Sequence, residues 1–215
     1  LKKYLKDGYC KTAAEKLLHA ERGTVLLTTG FYVAGYAETD GPLGTVAVAE
    51  ALNHLGFHSV IVTDKYCKGF FELKQLDVEY VDIAADEQVY EDILDKYHPV
   101  YMISIERCGE NAEHEYANMR GVSITSETAA IDHLFELAPE KHIPTIGVGD
   151  GGNEIGMGNV KDIISEKLEL NPCVVPVDDL IIATTSNWGA YALTAWLQKL
   201  SGEEVLFTYE EAEPY

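Results

Sequence analysis

The chain has 215 residues, with 16 Lys and Arg against 36 Asp and Glu, and a formal net charge of −20 at pH 7. Nucleic acids and anionic membrane surfaces are bound through cations that neutralise phosphates, so this excess of carboxylates argues against both as partners. At 47% hydrophobic and 24% charged the composition is that of a folded globular chain, of a length suited to one domain, and not that of an acidic disordered tail.

In chain order, residues 1–20 read as a helical segment, with Tyr4, Leu5, Ala13, Ala14, Leu17 and Leu18 in rough 3.6 periodicity. A single α/β domain is expected over 21–215. Apolar runs rich in β-branched residues follow at 24–28, 59–62, 78–83, 100–105, 144–148 and 180–184, and read as strands buried on both faces. Helical patterns lie between them at 44–55, 87–97, 127–138 and 187–200. This alternation predicts an α/β fold, three-layer and doubly wound (Rossmann-like), with a mostly parallel sheet. Ser126 ahead of Glu127, and Ser186 or Asn187 ahead of Trp188, read as helix caps. Residues 205–209 read as a short edge strand before an acidic end. A chain that starts at Leu and not Met is expected to be truncated.

The four cysteines, at 10, 67, 108 and 173, form no CxxC pair, which favours a reducing compartment over a zinc ribbon or a redox dithiol. No apolar run approaches the roughly 20 residues of a membrane span. The seven histidines show no metal-ligand spacing.

Chemistry concentrates where strands end, the edge at which open α/β sheets bind ligands. After the first strand, Glu38-Thr39-Asp40-Gly41-Pro42-Leu43-Gly44 leads into a helix, either as carboxylates able to hold a hard cation or as a plain cap with Pro42 in the first turn. The fourth strand ends in Glu106-Arg107-Cys108-Gly109. Glu106 reads as a general base or ligand, and Arg107 as a carboxylate clamp or half of an internal Glu–Arg pair. Cys108 beside that arginine also admits a thiolate reading, with no particular His tied to it. Asp64 ends the second strand, where it would meet a polar ligand group or cap the next element. Six of the 18 glycines fall in Gly147-Val148-Gly149-Asp150-Gly151-Gly152-Asn153-Glu154-Ile155-Gly156-Met157-Gly158. Asp150 would repel a pyrophosphate unless a metal intervened, so this run reads as a carboxylate and metal loop ahead of a dinucleotide loop, with a glycine-rich turn that binds nothing as the plain alternative. Thr29, Asn153, Ser186 and Asn187 offer polar groups at the same edge, and Arg120 adds a cation in a loop.

Together Glu38-Thr39-Asp40-Gly41-Pro42-Leu43-Gly44, Ile105-Glu106-Arg107-Cys108-Gly109, Gly149-Asp150-Gly151-Gly152-Asn153-Glu154-Ile155-Gly156-Met157-Gly158-Asn159 and Ser186-Asn187-Trp188-Gly189 resemble the C-terminal domain family of D-glutamate cyclase. The resemblance runs from about Arg22 to the Trp188 helix. It implies a lyase that converts D-glutamate to 5-oxo-D-proline with loss of water. One line of stand-alone members is regarded as divalent-metal-dependent phosphatases, and the animal mitochondrial member carries a separate N-terminal domain.

For such a reaction the expected assignment is a divalent cation, Mg²⁺ or Mn²⁺, on Glu38, Asp40, Asp150 and Glu154. Glu106, Asp150 and Glu154 are the expected catalytic groups, with Glu106 as the base for the substrate ammonium. Arg107, Arg120, Thr29, Asn153, Ser186 and Asn187 are the expected substrate contacts, and helix N-termini near Gly44 and Gly158 would stabilise an oxyanion. The expected partner is a small molecule, D-glutamate or a phosphoester, with no nucleotide cofactor, no nucleic acid and no membrane. A non-catalytic amino-acid or metal-binding module and a homo-oligomer stay open. The expected location is cytoplasmic, or the mitochondrial matrix for an animal homologue.

Overall fold

The β-branched runs pair in parallel, and the helical segments cover both faces of the sheet they form. The computed structural model describes residues 1–168, 170–206, 208 and 210. In chain order its elements begin with α1 (Tyr9–His19), β1 (Thr24–Thr28), a hairpin of β2 (Tyr32–Val33) and β3 (Tyr36–Ala37), α2 (Pro42–His54), β4 (His58–Asp64) and β5 (Asp77–Val81). They continue with α3 (Glu87–Tyr97), β6 (Tyr101–Ile105), α4 (His133–Lys141), β7 (Thr145–Gly149), α5 (Lys161–Lys167), β8 (Asp179–Ile182) and α6 (Ser186–Ser201).

The main sheet runs β5-β4-β1-β6-β7-β8, all parallel, so the chain winds outward from β1 to one edge and then returns to build the other half. The direction reverses between β1 and β6, where Thr28 lies opposite Val62 on one side and Ser104 on the other. Strand residues alternate between the faces. Val25, Leu27, Ile61, Ile103, Ile105, Ile146, Val148 and Ile181 join buried residues of α1, α2 and α6 in one core. Leu26, Val60, Val62, Met102, Leu180 and Ile182 join α3, α4 and α5 in the other. Each fully buried Leu, Ile or Val stabilises by roughly 1.5–3 kcal/mol before the entropy of ordering it is counted.

The first helix is shorter than the 20-residue pattern. It starts at Tyr9, buries Ala13, Ala14 and Leu17, and packs on α6 and β8, with the Tyr9 hydroxyl donating to the Ile182 carbonyl at 2.9 Å. Tyr4 stays exposed.

Four other expectations change. β5 is an edge strand with partly exposed residues, not one buried on both faces. The helix expected over 127–138 forms only from His133. Residues Thr125–Glu127 make a single 3-10 turn, Thr128 is extended, and the Ser126 hydroxyl donates to Glu127 without capping a helix. Tertiary contacts claim that segment: the Ala129 carbonyl accepts from Arg107, and the Asp132 carboxylate accepts from the Tyr116 hydroxyl and the Glu110 N–H. Of the edge strand expected over 205–209, Val205 and Leu206 are in no strand, because the Gln198 side-chain oxygen takes both of their N–H groups. Phe207 and Tyr209 lie outside the described residues. The hairpin at 32–37 and helix α5 carry patterns too short for periodicity to register.

Candidate active site

Four segments meet at the carboxyl edge: the 38–41 loop between β3 and α2, the end of β6, the glycine-rich loop after β7 and the N-terminus of α6. Their meeting depends on Gly41. Its φ is 101°, and a Cβ there would stand 2.6 Å from the Thr29 hydroxyl oxygen and 2.7 Å from the Glu106 Cβ, so only glycine lets the loop approach β6 so closely.

Beside Gly41 two helices cap one another. Asp40 accepts hydrogen bonds from the N–H groups of Ser186 (2.9 Å) and Asn187 (2.7 Å) at the start of α6. The Asn187 side-chain oxygen accepts from the N–H groups of Gly41 (3.0 Å) and Gly44 (2.7 Å) at the start of α2, and its amide donates to the Thr39 carbonyl at 2.9 Å. Asp40 therefore does act as a cap, but of α6 and not of its own helix, while Pro42 sits in the first turn of α2. Gly44 allows this close crossing, since a Cβ there would lie 2.7 Å from the Ala190 Cβ.

Asp40, Glu106 and Asp150 each bring a carboxylate oxygen to within 4.8 Å of the other two. Glu106 is 5% exposed, has φ 49°, and accepts a hydrogen bond from the Ser186 hydroxyl. Burial, with Glu154 and Asp150 nearby, pushes its carboxyl well above the usual range. Burial, followed by the charges of Glu154, Asp40 and Glu38, pushes Asp150 up to about 7. Half-buried Glu38 is likewise pushed up to about 7 by burial and then by Asp40 and Glu154. Carboxyls that hold protons near neutrality through burial and then through one another's charge mark a place where a cation would be favoured. The Thr29 hydroxyl, fully buried beside Gly41, has no hydrogen-bond partner among the described residues. The three crowded carboxylates make an all-oxygen donor set that could hold a hard cation.

Other expected site residues stand elsewhere. Fully buried Glu154 accepts from the N–H groups of Asp150 (3.0 Å), Gly151 (2.6 Å) and Gly152 (2.6 Å), so its carboxylate organises the glycine loop from within and lies outside the three-carboxylate group. Arg107 is fully buried and points away from the cluster, donating to Asp64 (2.7 Å) and to the carbonyls of Gly30 (2.9 Å) and Ala129 (2.6 Å). Arg107 is thus in an internal ion pair and not a carboxylate clamp, but its acid is Asp64 and not the glutamate expected. The Asn153 amide donates to the Ala117 carbonyl at 2.7 Å. Arg120 is exposed in the turn over 118–122. The neighbouring Met119 reaches over the glycine loop, its sulfur 2.7 Å from where a Gly151 Cβ would be. The helix starts offered for an oxyanion are already engaged: the Gly44 N–H by Asn187 and the Gly158 N–H by the Val175 carbonyl. Burial pushes the Cys108 thiol well above its ordinary value, which removes the thiolate reading.

The sequence profile of the D-glutamate cyclase-like, C-terminal family matches residues 1–214. Human mitochondrial D-glutamate cyclase is 35% identical over 219 residues, a match covering 89% of this chain and 35% of that protein. The chain thus spans about a third of the length of that curated relative. Among solved structures, the Bordetella bronchiseptica enzyme WbmH in complex with NAD⁺ is 13% identical with a TM-score of 0.41, over 83% of this chain and 53% of that one. UDP-glucose 4-epimerase from Thermus thermophilus in complex with NAD is 16% identical with a TM-score of 0.39, over 83% and 50%.

Proposed function

The chain belongs to the D-glutamate cyclase-like, C-terminal family, and from that premise we propose that it closes D-glutamate to 5-oxo-D-proline with loss of water, assisted by a divalent cation. The observation that carries the reading is the trio of Asp40, Glu106 and Asp150 with their oxygens within 4.8 Å. A net-anionic substrate with two carboxylates would be repelled from such a cluster unless a cation stood between them. In this reading Asp40, Glu106 and Asp150 hold Mg²⁺ or Mn²⁺. When bound, the cation would polarise the γ-carboxyl group of the substrate.

The chain's own residues do the rest. Glu106 is the sequence candidate for the base, but it lies at the bottom of the cluster with one oxygen already held by Ser186. Glu38 is more open and, at about 7, is matched to taking a proton near neutrality. It takes a proton from the substrate ammonium. The freed amine attacks the γ-carbon, a C–N bond forms, and a C–O bond breaks. The two protons lost by nitrogen leave with that oxygen as water, so atoms and charge balance. Ring closure is favoured because nucleophile and electrophile share one molecule. In this reading Arg120, the exposed cation next to Met119 in the chain, pairs with the α-carboxylate of the substrate. No observation favours phosphoester hydrolysis.

The test is incubation with D- or L-glutamate and Mg²⁺ or Mn²⁺, following the lactam by NMR. Lactam from D-glutamate that disappears on chelation supports the reading. Absence of lactam under either metal, or full metal binding and turnover in Asp150→Asn, overturns it.

A further inference from the structure

Glu106 carries its carboxylate to Asp40 and Asp150 from a left-handed backbone, φ 49°. For a non-glycine residue such a conformation is strained and persists only where the surroundings over-determine it. The next residue is held on both its backbone and its side chain. Arg107 sends its guanidinium past the end of β1 to the end of β4, where it is fully buried and bonded to Asp64, Gly30 and Ala129. Its carbonyl accepts from the Ile155 N–H at 2.9 Å, and the Glu106 N–H donates to the Val148 carbonyl at 3.0 Å. Asp64 ends β4, the position from which this fold commonly offers an acid to a nucleotide ribose. Here that acid, 3% exposed, is spent on the guanidinium.

Stability alone explains the pair poorly. Buried ion pairs are often no better than apolar residues of the same volume, and this one leaves the Arg107 Nε without an acceptor among the described residues. We propose that Arg107 is a positioning residue: held by Asp64 at the end of β4 and by the Gly30 carbonyl after β1, it pins the end of β6 so that Glu106 keeps the left-handed turn facing Asp40 and Asp150. The inference rests on reading those three carboxylates as one cation-holding group.

The test is the double variant Arg107→Met/Asp64→Asn, which removes both charges and leaves neither stranded. Its readouts are Mn²⁺ affinity by electron paramagnetic resonance, melting temperature, and kcat and KM for D-glutamate. The expected result is a folded chain whose Mn²⁺ affinity is weakened at least about tenfold, with kcat down about a hundredfold and KM within about threefold of the parent. Arg107→Lys, which keeps the charge but not the planar fork, is expected to fall between.

Unchanged Mn²⁺ affinity in the folded double variant overturns the proposal. So does a raised KM with kcat and Mn²⁺ affinity intact, the signature of a substrate clamp. Where the double variant does not fold, Asp64→Asn decides, because the guanidinium keeps its two carbonyl contacts. An Mn²⁺ affinity weakened about threefold at a near-parental melting temperature supports the pin, and no change overturns it. A parent chain that binds no Mn²⁺ overturns the pin together with the cation group. Lactam that fails to form while Mn²⁺ binding responds as expected overturns only the cyclase reading.

Discussion

Asp150 and Glu38 are the two carboxyls whose protons are easiest to move. Replacing Asp150 with Asn removes a donor and a charge from the trio at little change in volume. We expect turnover to fall at least about a hundredfold and Mn²⁺ binding to weaken in parallel, read by steady-state kinetics and paramagnetic resonance. On the proposed mechanism Glu38 must be ionised to act, so kcat/KM should rise with pH and then level, with a midpoint below the metal-free value of about 7 because the bound cation offsets the charge of Asp40. Glu38→Gln should remove that rise and cost about 10²–10⁴-fold in rate at the plateau, checked by a pH–rate profile of both proteins. At this scale the sequence is a partial guide. Asp40, Glu106 and Asp150 are visible as acids next to glycines at strand ends. The employment of Glu154 is not, because its partners are backbone N–H groups of its own loop, which no residue identity advertises. Arg107 is hidden for a related reason: its partner Asp64 lies 43 residues away on the far side of β1.

At the scale of elements, α2 and α6 hold each other's first turns. Asn187→Ala frees two N–H groups of α2 together with the Thr39 carbonyl, and should cost about 1–2 kcal/mol by denaturant unfolding. Asp40→Ala should cost a similar amount through α6, and the two losses should combine non-additively because the groups share one loop. Gly41→Ala meets both a disfavoured φ and two contacts under 3 Å, so a loss of about 2–4 kcal/mol is expected in the same measurement. These links explain where reading by pattern stops. Strand β1 and helix α3 emerge from the sequence with their observed bounds, because their signals are local periodicity. The caps at Asp40 and Asn187 join positions 147 residues apart. The false helical start at Ser126 comes from oxygen-bearing side chains that would suit a cap had tertiary bonds not taken the segment.

For the whole molecule, the alternation of strands and helices was enough to read a doubly wound sheet, and the six-strand order follows from right-handed crossovers on either side of β1. The crowding at its carboxyl edge has a global signature. Glu38 and Asp150 stand at about 7 in the folded chain, against about 4 when unfolded, so the folded state holds protons that the unfolded state has released. Their stabilising contribution is complete below about pH 4 and is lost as pH rises through about 7. The metal-free chain should therefore melt at a higher temperature at pH 5 than at pH 8, and Mg²⁺ or Mn²⁺ should restore the loss at pH 8. Differential scanning fluorimetry checks both, and a melting temperature that climbs between those pH values without a cation would contradict the crowded cluster.

The mutual capping of α2 and α6 also sets what kind of ion the site selects. A helix start ordinarily presents free N–H groups and a positive dipole end to anions. Here the N–H groups of Gly41, Gly44, Ser186 and Asn187 are consumed by Asn187 and Asp40, and one of those acceptors brings a negative charge of its own. The two helix starts thus add little affinity for phosphate or sulfate. On the proposed function such buffers should not compete with D-glutamate at concentrations that leave the divalent cation free in solution, in a fold whose helix starts more often favour anions.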